Sequence, residues 1–129
     1  MADVDIVTAL ALLQFIVFGM QVGRARERYG VKAPAVTGND QFERYFRVQQ
    51  NTLETLVVFV PSLFLFSHYF NPLWATVLGV IYLIGRQVYA AAYVKDPAKR
   101  SAGYALTVLP VLALILGGLI GAIMQIFAR

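Results

Sequence analysis

Four long apolar stretches separated by short polar ones dominate the chain. In the first, Val4 to Val22, the polar interruptions are Asp5 at its start and then Thr8, Gln14 and Gln21. Its 19 residues suffice to cross a hydrocarbon core of about 30 Å as an α-helix. A cleaved signal peptide fits poorly, because the start is acidic (Asp3, Asp5) and the basic cluster follows the run. The second run, Leu53 to Phe66, has 14 residues and is too short alone. It spans if the helix begins upstream, with Asn39 or Asp40 as N-cap. Glu43, Arg44, Arg47 and Asn51 then share one membrane-crossing helix with Glu54. The third run goes from Leu73 to Tyr93 and the fourth from Tyr104 to Phe127, where Pro110 is expected to bend the helix. The pattern predicts an all-α fold, an integral membrane four-helix bundle forming one domain over 1–129, with spans near 4–22, 41–66, 73–93 and 104–127.

Composition supports the bilayer. The chain of 129 residues is 59% hydrophobic and 14% charged, against about 25% charged in an ordinary soluble domain. A water-soluble domain of this size has too little interior to hide that much apolar surface. There is no cysteine, which excludes disulfides, a cysteine nucleophile and thiolate metal sites. The single histidine, His68, argues against a histidine metal site and is expected in a solvated loop. The net charge of +4 does not point to nucleic acid, because the basic residues adjoin the spans, where they set topology. Arg24, Arg26, Arg28 and Lys32 follow the first span, and Lys95, Lys99 and Arg100 follow the third. The connection Ser67 to Asn71 carries neither Lys nor Arg. The positive-inside rule therefore makes the first and third loops cytoplasmic and puts both termini on the opposite side.

Two polar stripes remain to be explained. At about 100° per residue, Arg44, Arg47, Asn51 and Glu54 fall within roughly 80° on the second helix. Ionisable groups at membrane depth persist where they face a partner, a water-filled cavity or a ligand. The plainer alternative is that Arg47 and Glu54 satisfy other buried groups and fix packing. Glu43 and Arg47 also have i,i+4 spacing for a surface pair. On the third helix Tyr82, Arg86, Tyr89 and Tyr93 share a face, and Arg86 is expected to pair with Glu54. Tyrosines near a membrane interface often form an aromatic belt, a reading strongest for Tyr93. Lys95 to Lys99 reads as a solvated turn, and Arg100 either reaches the cavity or anchors headgroups. Phenols above a guanidinium supply donors, which suit an anion between them. Together the stripes point to a pocket for an anionic ligand bearing a thiol or carboxylate.

The segment Phe42-Glu43-Arg44-Tyr45-Phe46-Arg47-Val48-Gln49-Gln50-Asn51-Thr52-Leu53-Glu54 closely resembles the signature of the membrane-associated proteins in eicosanoid and glutathione metabolism. The likeness continues through Ala33-Pro34, Thr37-Gly38, the Tyr82–Tyr93 stripe and Arg100. The resemblance implies a homotrimer that binds glutathione between subunits near the cytoplasmic side. Arg47, Asn51 and Glu54, with Tyr89 and Tyr93, would hold the tripeptide. Gln49, pointing away from the stripe, would serve the site across the subunit boundary, and Arg26 would reach the ligand from the first loop. Arg100 matches the arginine credited with activating the thiol. Thr55 stands where the leukotriene synthases have a tyrosine, and Glu27 replaces the second of their paired arginines. The latter departure argues against leukotriene synthesis.

The resemblance thus implies a glutathione transferase acting on hydrophobic electrophiles, with lipid-hydroperoxide reduction as a side activity. The short loops suggest a bacterial inner membrane protein. The electrophile is expected to enter from lipid through a groove between the first and fourth helices. Gly117, Gly118 and Gly121 are expected to let the fourth helix approach a neighbouring subunit. Two other readings compete: a non-catalytic lipid-binding scaffold of the same family, and a small multidrug transporter. The transporter would use Glu54 for cationic cargo, which Arg44 and Arg47 would repel.

Overall fold

The computed structural model describes all 129 residues, Met1–Arg129. The helices are α1 (Ala2–Tyr29), α2 (Asp40–Tyr69), α3 (Pro72–Lys95) and α4 (Ser101–Phe127), with a 3-10 turn at Pro97–Lys99. Each of the four is long and apolar enough to cross a membrane. They outrun the apolar stretches because polar residues continue each helix into the headgroup region, where water serves the outer turns. Local chemistry sets the ends. Gly30 terminates α1 in the left-handed region at φ 70°, which a residue without Cβ adopts freely. The Asn39 side chain accepts from Phe42 N at 3.0 Å and starts α2 at the expected place. Asn71 does the same for α3, ahead of Pro72 at a first-turn position. His68 lies in the last turn of α2 rather than in a loop, because the helix runs on to Tyr69.

The two middle helices form the centre of the bundle. Both α1 and α4 pack on α2 and α3, on separate sides, and make little contact with each other. A groove between the first and fourth helices therefore does not exist within one chain. The main core joins Val4, Val7 and Ala11 of α1 to Leu56, Phe59 and Leu63 of α2, Ala75 and Tyr82 of α3, and Val111 and Leu114 of α4. Phe59 and Tyr82 stack with ring centroids 3.8 Å apart. The α4 glycines serve this bundle. A Cβ at Gly117, Gly118 or Gly121 would meet Phe66, Leu65 or Tyr69 of α2 in the same chain. That corrects the expectation that they face a neighbouring subunit: close approach is used inside the chain. Leu13, Ile16, Leu109, Leu116 and Ile120 remain about half exposed or more. Such continuous apolar surface needs lipid or another chain against it.

Candidate active site

The polar third of α2 is held by side chains that do not reach the site. Arg44 forms an ion pair with Asp40 at 2.8 Å and donates to Val94 O and Lys95 O at 3.1 and 2.9 Å. It thus ties the start of α2 to the last turn of α3, satisfying carbonyls a helix end leaves open. The i,i+4 ion pair in this segment is Asp40–Arg44, and Glu43 instead accepts from Gly38 N at 3.3 Å. Arg44 is accordingly a structural clamp, and the cleft-lining stripe begins at Arg47.

From there α2 presents Arg47, Gln50, Asn51 and Glu54 to an open cleft of about 320 Å³, completed by Tyr89 and Tyr93 of α3 and by Arg100. Six of the eight residues singled out from the sequence meet in this one place. Tyr89 and Tyr93 stack with centroids 5.5 Å apart. Arg100 occupies the N-cap position of α4 without a side-chain cap, and its guanidinium donates to Pro97 O at 2.9 Å. The positive end of the α4 dipole therefore adds to its charge. Asn51 Oδ1 is buried with no partner within the chain. A buried acceptor of this kind costs free energy until a donor arrives. The cleft holds two guanidiniums against one carboxylate, so a bound anion is favoured. Gln50 was not among the expected residues. Its signal was present, since 47, 50, 51 and 54 follow the i, i+3, i+4, i+7 spacing of one helix face.

Arg26 and Gln49 lie elsewhere. Arg26 donates to Ala35 O at 2.6 Å and sits over the Phe42 ring, 4.9 Å from its centroid. The Gln49 amide packs on Gly19 of α1. One chain therefore does not bring these two residues to the cleft. Arg86 does not pair with Glu54 either. Its guanidinium turns inward to Thr52 and Thr107, while the Glu54 side chain faces out of the bundle.

Beside the cleft, an apolar slot of about 230 Å³ runs between α2 and α4, with Asn51 and Glu54 in its wall as well. Val58, Val108, Val111, Leu112 and Ile115 line its depth. Thr55 stands at its edge, its hydroxyl 2.9 Å from that of Tyr82. A polar, cationic cleft and a hydrophobic slot thus share the wall made by Asn51 and Glu54.

Fold and cleft define a class: a four-helix membrane protein with a cation-lined site between its second and third helices. The chain belongs to the MAPEG family, which it matches over residues 5–120. It is 46% identical over 121 residues to an uncharacterized protein of Synechocystis sp., covering 94% of this chain and 88% of that one. It is 43% identical over 109 residues to human microsomal glutathione S-transferase 2, covering 84% and 74%. With leukotriene C4 synthase of Cavia porcellus the identity is 35% over 96 residues, covering 74% and 64%.

Proposed function

We propose that the protein is a membrane-bound glutathione transferase that acts as a homotrimer and conjugates glutathione to hydrophobic electrophiles. The observation that carries this reading is the cleft shared by Arg47, Asn51, Glu54, Tyr89, Tyr93 and Arg100, beside the apolar slot with which it shares Asn51 and Glu54. Glutathione offers two carboxylates, an ammonium, amide groups and a thiol. Arg47 answers a carboxylate, Glu54 the ammonium, and the free Asn51 Oδ1 an N–H of the peptide. The phenols of Tyr89 and Tyr93 donate alongside them. Arg26 and Gln49 face away from their own cleft and serve that of the next subunit. The microsomal glutathione transferase among the relatives supports the same substrate.

A free thiol of pKa about 8.5 is mostly protonated at neutral pH, and its thiolate is the nucleophile. Arg100 stabilises that thiolate. A guanidinium is no base at ordinary pH, so the proton leaves to water. The sulfur lone pair then forms a C–S bond to the electrophile in the slot. With an aryl halide, halide departs; with an activated alkene, the resulting carbanion takes a proton from water. Reduction of a lipid hydroperoxide would use two glutathiones, giving disulfide, alcohol and water.

The test is stopped-flow ultraviolet detection of thiolate when purified protein meets glutathione. A saturable thiolate signal is expected, and Arg47→Ala or Glu54→Ala should weaken glutathione affinity by about tenfold or more, since each strips a charged partner from the ligand. A folded, still oligomeric Glu54→Ala protein with unchanged affinity would place the ligand elsewhere.

A further inference from the structure

Arg86, in the middle of α3, is completely buried. Its Nη2 donates to Thr52 Oγ1 at 2.9 Å and its Nη1 to Thr107 Oγ1 at 3.3 Å, while its Nε–H has no acceptor. Both threonines send their own protons to backbone carbonyls, Thr52 to Val48 O at 2.7 Å and Thr107 to Gly103 O at 2.9 Å. Their lone pairs are therefore free for the guanidinium, and α2 and α4 each help to aim it. Its Cζ lies 4.4 Å from the centroid of the Tyr89 ring.

No carboxylate answers this charge. The chain's one ion pair is Arg44–Asp40. The ionisable groups near enough to interact with Arg86 are phenols alone, Tyr82 and Tyr89 on α3 and Tyr104 on α4, while α2 contributes the neutral Thr52. A buried charge without a counter-ion is among the costliest arrangements a fold can hold. Two hydroxyls and an aromatic face soften the cost without neutralising the charge. The fold nevertheless spends two threonines on placing it.

The position explains the arrangement. Tyr89, over which Arg86 lies, lines the cleft, and Thr107, to which it donates, lines the slot. The cation thus stands behind one lining residue of each cavity. We infer that Arg86 is the fixed countercharge for the anion bound in the cleft, a positioning residue that acts through Tyr89 and through its field without touching the ligand. This rests on the glutathione reading. Glutathione carries a net charge of about −1 at neutral pH and about −2 once the sulfur ionises. Such attraction acts across the thickness of a single ring, through protein interior rather than through solvent. Arg86 therefore favours the ionised sulfur over the neutral thiol, adding to Arg100, which faces the ligand directly.

A purely structural Arg86 would pin α2, α3 and α4 together and treat all ligands alike. Two ligands separate the readings: glutathione, and S-methylglutathione, which keeps the carboxylates and ammonium but has no ionisable sulfur. Affinities for both, and the pH at which bound thiol ionises, are measured on the oligomeric wild type, Arg86→Gln, Arg86→Lys and the Thr52→Val/Thr107→Val double variant. Arg86→Gln is expected to raise the ionisation pH by about one unit and to cut the preference for glutathione over S-methylglutathione about tenfold. Arg86→Lys restores much of both, and the double variant shifts both in the same direction by less. A wild-type ratio and ionisation pH in Arg86→Gln overturn the inference. If that protein does not fold, the same result in the double variant overturns it. Absence of any thiolate signal in the wild type removes the glutathione reading, and this inference with it.

Discussion

At the residue scale, Arg100 is the sharpest test of the chemistry, because it combines a cleft position with a helix N-terminus. A cation beside the sulfur lowers the thiol's pKa, so activity rises through that lowered value and stays high above it. Arg100→Ala is expected to move the rising limb of the pH–rate profile upward toward the free thiol, near pH 8.5. Affinity for S-methylglutathione, which has no ionisable sulfur, should change little, since in the proposed binding mode its carboxylates and ammonium are held by other residues. Arg100→Lys recovers part of the effect, as a point charge suffices where bidentate geometry is not needed. A profile for Arg100→Ala that overlays the wild type transfers the role to Tyr93 or Arg26. The face of α2 that carries Arg47, Asn51 and Glu54 was legible in the sequence because helical period alone sets it. The partners of Arg44 and Arg86 were not. Opposite charges at plausible depth suggested Arg86 with Glu54, but the side chain follows the threonines that α2 and α4 deliver, and their register is a tertiary fact.

At the element scale, hydropathy found all four helices and none of their full lengths. It reports the thickness of hydrocarbon, whereas Gly30, Asn39 and Asn71 report where the backbone turns. The glycines show the same division. Their enrichment in α4 announced a close approach, but only the packing shows against what. At Gly103 a Cβ would run into the backbone of Tyr89, the residue that lines the cleft. The helix start is thereby pressed onto α3 where Arg100 enters the site. Gly103→Ala is expected to lower stability by about 1–3 kcal/mol, the usual cost of overpacking, and to weaken glutathione binding by displacing Tyr89. Gly23, inside α1 with nothing within 4 Å of an added Cβ, is the control. Gly23→Ala should stabilise by about 0.5–1 kcal/mol by removing chain entropy from a helix interior. Thermal melts in one detergent compare the two, and a Gly103→Ala protein as stable as Gly23→Ala would contradict the packing account.

At the scale of the whole molecule, one chain leaves charges on a membrane-crossing helix without partners. Arg47 and Glu54 are exposed on a membrane-crossing helix and have no ion-pair partner in the chain. Each such charge in lipid costs about 2.5–3.5 kcal/mol on insertion scales, so that face has to meet water, a ligand or another subunit. Arg26 and Gln49, meanwhile, sit on the α1 side, away from the cleft. The proposed cyclic homotrimer would resolve both facts, since a head-to-tail interface sets one patch of a subunit against a different patch of the next. It predicts complementation. Arg47→Ala damages the cleft side of a boundary and Arg26→Ala the opposing side, so either homotrimer alone should have all its sites impaired. When the two chains are co-expressed and assemble at random, about one boundary in four pairs an intact Arg47 with an intact Arg26 from its neighbour. Activity near a quarter of wild type is therefore expected from the mixture, well above either variant alone. Mixed assemblies, verified by two affinity tags, that show no gain over the separate variants would mean that each cleft is completed within its own chain.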